Sequence, residues 1–175
     1  MDIRTIMEAG KVVRLHTVDC HVRQNLAEHQ WGVAALVAFI YDGLPPNYLL
    51  LKAMFHDVGE LFTGDMPAHV KWANPALSKA LDMVSVEAEC NMGVRYSVDE
   101  AEKFILKAAD KLELMWFCVA QLRLGNKNLI IVYDRLDEWF NEYPEEIERR
   151  IQPQVDRIDL LHDIVTKEWY DAREL

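Results

Sequence analysis

The sequence predicts an all-α fold, and three observations carry that expectation. No segment alternates apolar and polar residues with the period of two that a half-buried strand needs, and strand-type Val/Ile/Thr runs are lacking. Helix-start signals recur. Asn25-Leu26-Ala27-Glu28 and Ser97-Val98-Asp99-Glu100 each read as a capping box, and Asn74-Pro75 sets a cap before a proline at the first helical position. Stop signals follow at helical distances, at Asp42-Gly43-Leu44-Pro45-Pro46, Gly59, Gly125 and Pro144.

Taken in order, residues from about 2 to 15 form a first amphipathic helix, weakened by Gly10, and Leu15 to Asn25 reads as a loop. The second helix is capped by Asn25 and runs to about Tyr41. The third runs from near Asn47 to His56 or Asp57, where Gly59 stops it. Thr63 to Asn74 is expected to be a loop. A fourth helix covers about 75 to 95, with Leu77, Leu81, Val84 and Ala88 as its apolar positions. A long fifth helix opens at the 97–100 box and ends near Leu124, and a sixth spans about 127 to 142. The acidic segment from Glu145 begins a last helix, kinked at Pro153. Neither repeat nor linker interrupts this pattern, so residues 1–175 are expected to form one domain. Its motif core covers about 10–125, with C-terminal helices over about 127–172.

Composition narrows the function classes. Half the chain is apolar (51%) and 27% is charged, the balance of a soluble globular protein. A net charge of −10 argues against a binder of nucleic-acid polymers, which would carry a basic stripe. It does not exclude a single nucleotide, for which a few local cations suffice. Three scattered cysteines, Cys20, Cys90 and Cys118, fit a reducing cytoplasm rather than a disulfide scaffold. Neither a signal pattern at Met1-Asp2-Ile3-Arg4 nor a membrane-length apolar run occurs, since Trp31 to Tyr41 is too short. The expectation is a soluble cytoplasmic protein without a membrane partner.

The chemistry centres on Phe55-His56-Asp57-Val58-Gly59-Glu60. An imidazole and a carboxylate side by side at a helix end can turn toward one borderline-to-hard divalent cation. His29 lies one turn into the second helix, on the face that carries Gly32, Val33 and Leu36, and so points inward. Asp110 shares a helical face with Leu106, Leu114 and Phe117, where a carboxylate needs a partner. Singly, each histidine reads as a hydrogen-bonded core residue and Asp110 as a surface acid beside Lys111. Together, three helices offering His, His-Asp and Asp describe a metal site inside a bundle.

That order, with Ala27-Glu28-His29, His56-Asp57-Val58-Gly59-Glu60, Thr63-Gly64-Asp65-Met66-Pro67 and Val70-Lys71, resembles the HD-domain metal phosphohydrolases. Within them it is similar to the compact branch of 5′-deoxynucleotidases and phage-type dNTP triphosphohydrolases. The resemblance covers roughly residues 10 to 125. It implies an HD-type helical bundle with the metal site between helices, and His29, His56, Asp57 and Asp110 as ligands of Co, Mn, Zn or Fe. It implies that Glu60 orients or deprotonates the attacking water, and that Asp65 is a second acid near the leaving oxygen. Arg14 is implied to contact phosphate, and Lys71 to face the substrate phosphates. The substrate would be a small deoxynucleotide, cleaved at its 5′ ester to release phosphate or triphosphate.

The sequence departs from that pattern at two places. Leu15, followed by His16 and Thr17, stands where an aromatic residue often follows the arginine, and His69 stands where proline is common. Both changes fall where sugar and base are expected, so Leu15, His16, Thr17 and His69 are candidate substrate contacts. Two other readings stay open: an HD phosphodiesterase for cyclic or alarmone nucleotides, and a non-catalytic nucleotide sensor, against which the presence of both Glu60 and Asp65 argues. A homo-oligomer is also expected. Trp139, Phe140 and Tyr143 form a hydrophobic face for a subunit partner or for core, as does the stripe Leu112, Met115, Trp116 and Val119. His162 reads as a surface histidine and Glu145-Glu146 as a solvated helix start.

Overall fold

The computed structural model describes residues 3–41, 44–141 and 149–174. Among these residues nine helices follow one another: α1 (Ile3–Ala9), α2 (Leu26–Ile40), α3 (Asn47–Phe55), α4 (Glu60–Thr63), α5 (Ala68–Ala73), α6 (Pro75–Met92), α7 (Glu100–Arg123), α8 (Ile130–Phe140) and α9 (Gln152–Arg173). No β-strand occurs among the described residues, so the all-α expectation holds; one isolated bridge pairs Val13 with Asn25. No helix among them is long and apolar enough to cross a membrane.

Helix α7 is the axis of the bundle. It packs against α2, α8 and α9, while α3 lies on α2. Its buried face carries Phe104, Ile105, Ala108, Ala109, Leu112, Met115, Cys118, Val119 and Leu122, spaced as helical periodicity requires. These meet Val33, Val37 and Ile40 of α2, Leu49 and Ala53 of α3, and Ile158, Leu161, Val165 and Trp169 of α9. Leu112 and Ile158 are fully buried, and each such side chain contributes roughly 1.5–3 kcal/mol of transfer free energy. The stripe through Leu112, Met115 and Val119 is therefore core, and Trp116 packs against it. Phe140 is core as well, with Trp139 stacked beside Phe104 at 5.4 Å. A second, smaller cluster gathers Ala9, Leu26, Val58, Ala88, Met92 and Val94 around the end of α1.

Several boundaries differ from the expectation, each for a physical reason. The first helix stops at Ala9 rather than near 15. Beyond Gly10 and Lys11 the chain extends, and Arg14 N–H donates to the Gln24 carbonyl while Leu26 N–H donates to Val12, both at 2.9 Å. Gly59 does not end α3. Its φ is −62°, it caps α4, and a Cβ there would meet Ser85 Cα at 2.6 Å, so the glycine serves close approach between segments. The expected loop 63–74 contains α5. Helix α6 ends at Met92 because Gly93 takes φ 70°, and of its expected apolar stripe only Ala88 is buried.

The capping box of α7 belongs to Asp99 and Glu102, not to Ser97 and Glu100. Asn25 and Glu28 form the box read from the sequence, and Gly125 terminates α7 with φ 84°. Helix α8 starts at Ile130, after an Asn126–Asn128 turn. Pro153 lies in the first turn of α9 and starts it rather than kinking it. His162 is half-buried, bonded to Asp137 at 2.7 Å and stacked on Phe140, not a free surface residue. Tyr143, Pro144, Glu145 and Glu146, and the Asp42-Gly43 stop, lie outside the described residues.

Candidate metal and phosphoester site

The site lies where α2, the end of α3, and α7 converge. Asn25 fixes the start of α2, which places His29 one turn in, on the face packed against α7, where it is completely buried. His56 is the C-cap of α3, and Asp57 follows it, so both turn back over the end of that helix. Asp110 projects from the middle of α7.

One carboxylate oxygen collects the contacts. Asp57 Oδ2 lies 3.2 Å from His56 Nε2, 3.8 Å from His29 Nε2 and 3.2 Å from an Arg14 guanidinium nitrogen. His29 Nε2 also lies 3.1 Å from Asp110 Oδ1. Ligand atoms of His29, His56 and Asp57 all lie within 4.8 Å of one another, a spacing that could hold a metal ion. Asp110 adjoins this triple through His29.

The chemistry of the two imidazoles tests whether a metal fits. Each has its Nδ1 occupied: His29 Nδ1 by Glu113 Oε2 at 2.5 Å, His56 Nδ1 by the Ala53 carbonyl at 2.8 Å. Both partners only accept, so both Nδ1 atoms donate. The two Nε2 atoms are buried, face Asp57, and have no hydrogen-bond partner of proper geometry. Two lone pairs aimed at a carboxylate need a proton or a cation between them. A divalent metal held by His29, His56 and Asp57, with Asp110 adjacent, meets that need.

The charges respond to this crowding. Burial disfavours the His56 imidazolium, but the charge and close approach of Asp57 outweigh it and push the pKa up to about 9. Burial works against ionised Asp57 too. His56, Arg14 and His29 prevail and hold it well below the usual carboxylate range. Asp110 is likewise held low against burial, chiefly by its close contact with the His29 imidazole. Glu60 goes the other way: burial and the negative charge of Asp57 push its carboxyl up to about 8, opposed by Arg14. One of its oxygens has no hydrogen-bond partner.

A cleft of about 270 Å³ adjoins the triple, lined by His56, Asp57, Glu60, Gly64, Lys71 and Ser85 among others. Arg14 is buried against Asp57. Asp65 accepts the Leu15 main-chain N–H at 2.5 Å, so it anchors the segment that carries Arg14. Leu15 is half-buried. His16, Thr17 and His69 do not line the cleft, and all three are exposed.

Glu113, Gln24 and Gly32 belong to this site, and no motif in the sequence marks them. Gln24 donates to Glu113 Oε1 at 2.6 Å, and a Cβ at Gly32 would meet Glu113 Cγ at 2.7 Å. The available signal is helical register. Glu113 lies three residues after Asp110, and Gly32 three after His29, so an acid faces a gap on the partner helix.

Solved structures share this fold. The HD phosphohydrolase DatZ of cyanophage S-2L, described with dA and one catalytic Zn2+ ion, superposes with a TM-score of 0.66. It is 20% identical and covers 95% of this chain and 98% of its own. An HD-domain phosphohydrolase from Listeria innocua gives a TM-score of 0.65 at 19% identity, covering 95% of this chain and 97% of its own. In sequence, a 5′-deoxynucleotidase of Vibrio parahaemolyticus is 29% identical over 142 residues, 68% of this chain and 73% of the relative. One from Yersinia pestis is 30% identical over 139 residues, 66% of this chain and 70% of the relative. Residues 3–95 match the family described as 5′-deoxynucleotidase YfbR-like, and they carry Arg14, His29, the His56-Asp57 pair, Glu60, Asp65 and Lys71. The chain shares the fold of HD-domain phosphohydrolases and belongs to the 5′-deoxynucleotidase YfbR-like family.

Proposed function

We propose that this protein hydrolyses the 5′-phosphate ester of 2′-deoxynucleotides, releasing the deoxynucleoside with phosphate or with triphosphate. The convergence of two partnerless imidazole nitrogens on Asp57, beside a cleft holding Glu60 and Lys71, carries the reading. His29, His56, Asp57 and Asp110 would hold a divalent transition metal, which supplies Lewis-acid neutralisation of the phosphoryl group and activation of water. The dA and Zn2+ of the cyanophage relative support a deoxynucleoside and zinc among the possible metals.

The chain's own residues divide the remaining work. Arg14 and Lys71 place positive charge where the phosphoryl oxygens gain negative charge. Arg14 is pre-set by its contact with Asp57. Glu60 takes the proton of the attacking water. Burial and the negative charge of Asp57 favour the protonated form of Glu60 in the metal-free chain, and a cation beside Asp57 would offset that charge and free the carboxylate to act as base. Asp65 has one oxygen engaged with Leu15 and uses the other to protonate the departing 5′ oxygen. Leu15, His16, Thr17 and His69 are proposed to meet sugar and base at the rim.

Incubation with all dNMPs, NMPs and dNTPs in the presence of Co, Mn or Zn, with product identification, tests the reading. Deoxynucleoside product that vanishes with EDTA and returns with metal is the expected result, and the co-product gives the phosphate length. Linear dinucleotide or diphosphate-removal products from cyclic or alarmone substrates would replace it with the phosphodiesterase reading. Binding without turnover would replace it with the sensor. A single cytoplasmic domain that assembles as a homo-oligomer belongs to the same proposal. It is supported by the free cysteines and by exposed Ile131, Leu160 and Tyr170 on α8 and α9. Light scattering tests the assembly.

A further inference from the structure

Resting on the metal reading of the His29–His56–Asp57 site, we infer that Glu113 is a positioning residue for that metal, acting through His29, with Gln24 and Gly32 as its own supports. Glu113 Oε2 lies 2.5 Å from His29 Nδ1. A carboxylate oxygen only accepts, so the imidazole is held with its proton on Nδ1 and its lone pair on Nε2, aimed at Asp57 and Asp110. A charged acceptor behind a histidine both fixes the ring and raises the donor strength of the opposite nitrogen.

The second histidine is treated differently. His56 Nδ1 is held by the neutral Ala53 carbonyl, within its own helix. The two imidazoles of the site are therefore unequal: His29 is the stronger donor toward a metal, and it is the fully buried one. Glu113 is itself held. Gln24 donates to its other oxygen at 2.6 Å, so the carboxylate cannot swing away from His29 without breaking a second bond. Gly32, one turn beyond His29 on α2, leaves the space its side chain occupies: a Cβ there would come within 2.7 Å of Glu113 Cγ. The Glu113 side chain is only 13% exposed, where an ionised carboxylate with no partner would be costly. None of Gln24, Gly32 and Glu113 lines the cleft beside Glu60, so their influence on the reaction passes through His29.

Metal affinity, read with a competing chromogenic chelator, tests this on wild type, Glu113→Gln, Glu113→Ala and Gly32→Ala. Zn affinity is expected to fall about 10–100-fold in Glu113→Ala, less in Glu113→Gln, which keeps an acceptor oxygen without its charge. Gly32→Ala should fall in the same direction, because its new methyl displaces the carboxylate. Folded Glu113 variants that bind Zn as tightly as wild type would overturn the inference. Histidine-selective 15N NMR of the wild-type protein needs no variant. His29 carrying its proton on Nδ1 supports the inference, and a proton on Nε2 in the Zn-loaded protein overturns it. Failure of wild type to bind any divalent metal would instead sink the metal reading itself.

Discussion

Leu15 donates its main-chain N–H to Asp65 Oδ2 at 2.5 Å while its own backbone takes φ 50°, the left-handed region that side chains with a Cβ avoid. Leu15 is also the single non-glycine residue with positive φ among those described. The anchor and the strain occur at the residue next to Arg14, so the segment that delivers the guanidinium to Asp57 is held against a conformational cost.

Two predictions separate these effects. Leu15→Gly should be more stable than Leu15→Ala by about 1 kcal/mol, the reverse of the usual order, because glycine relieves the left-handed cost. Denaturant unfolding of the two variants checks it, and Ala equal to or above Gly would contradict it. Asp65→Asn keeps an acceptor for the Leu15 amide but cannot donate a carboxylic proton. It should lose roughly 10²–10⁴-fold in kcat with KM little changed. Asp65→Ala should also raise KM, since Arg14 loses its anchor.

Glu60→Gln should lower kcat by roughly 10²–10⁴-fold while leaving bound metal intact, because the role proposed for Glu60 is to take a proton rather than to hold the metal. Metal content per chain, measured beside activity, distinguishes this from Asp57→Ala, which should lose both. Loss of metal in Glu60→Gln would place Glu60 among the ligands instead.

Stability of the metal-stripped chain should fall as pH rises from about 5 to 9. His56 is raised from 6.5 to about 9, so its contribution is full below pH 6.5 and lost as pH climbs through 9. Glu60 is raised from 4.5 to about 8, so its proton is also favoured by the folded state, and that contribution disappears through pH 8. Asp57 is depressed, and its contribution is already complete above pH 3.8, so it does not offset the loss. The stabilisation gained on adding Zn should grow over the same interval, because bound histidines must shed their protons. Thermal unfolding with and without Zn across pH checks both signs, and a midpoint that rises with pH in the stripped chain would contradict them.

Gly59→Ala should destabilise by roughly 1–3 kcal/mol and reduce activity, since the new methyl would meet Ser85 Cα at 2.6 Å as well as its side chain. Ser85→Ala should not rescue it, because the closest atom belongs to the backbone. Full rescue would show that the conflict lies with the Ser85 hydroxyl alone, 2.7 Å from where the methyl carbon would sit.

Much of the site is legible in the chain itself. The inward face of α2 at His29 follows from helical register, and the His56-Asp57 pair follows from a helix end. Asp110 follows from an acid set among apolar residues on a long capped helix. Boundaries are less legible. Asp99 takes the cap expected of Ser97, and Gly59 marks a close approach rather than a stop. Propensity names residue types suited to a turn or cap, but which of several neighbours takes the role depends on what packs against them.

Local patterns within this chain, helix periodicity and capping chemistry, set the all-α architecture and the residues able to ligate a cation, because both depend on neighbours three and four positions apart. The burial of Arg14 against Asp57, the Asp65 anchor on Leu15 and the Glu113 clamp on His29 join residues 43, 50 and 84 positions apart. No local pattern reports such pairs. They exist because α2, α3 and α7 pack together and bring distant polar groups into a space where each must find a partner or a cation.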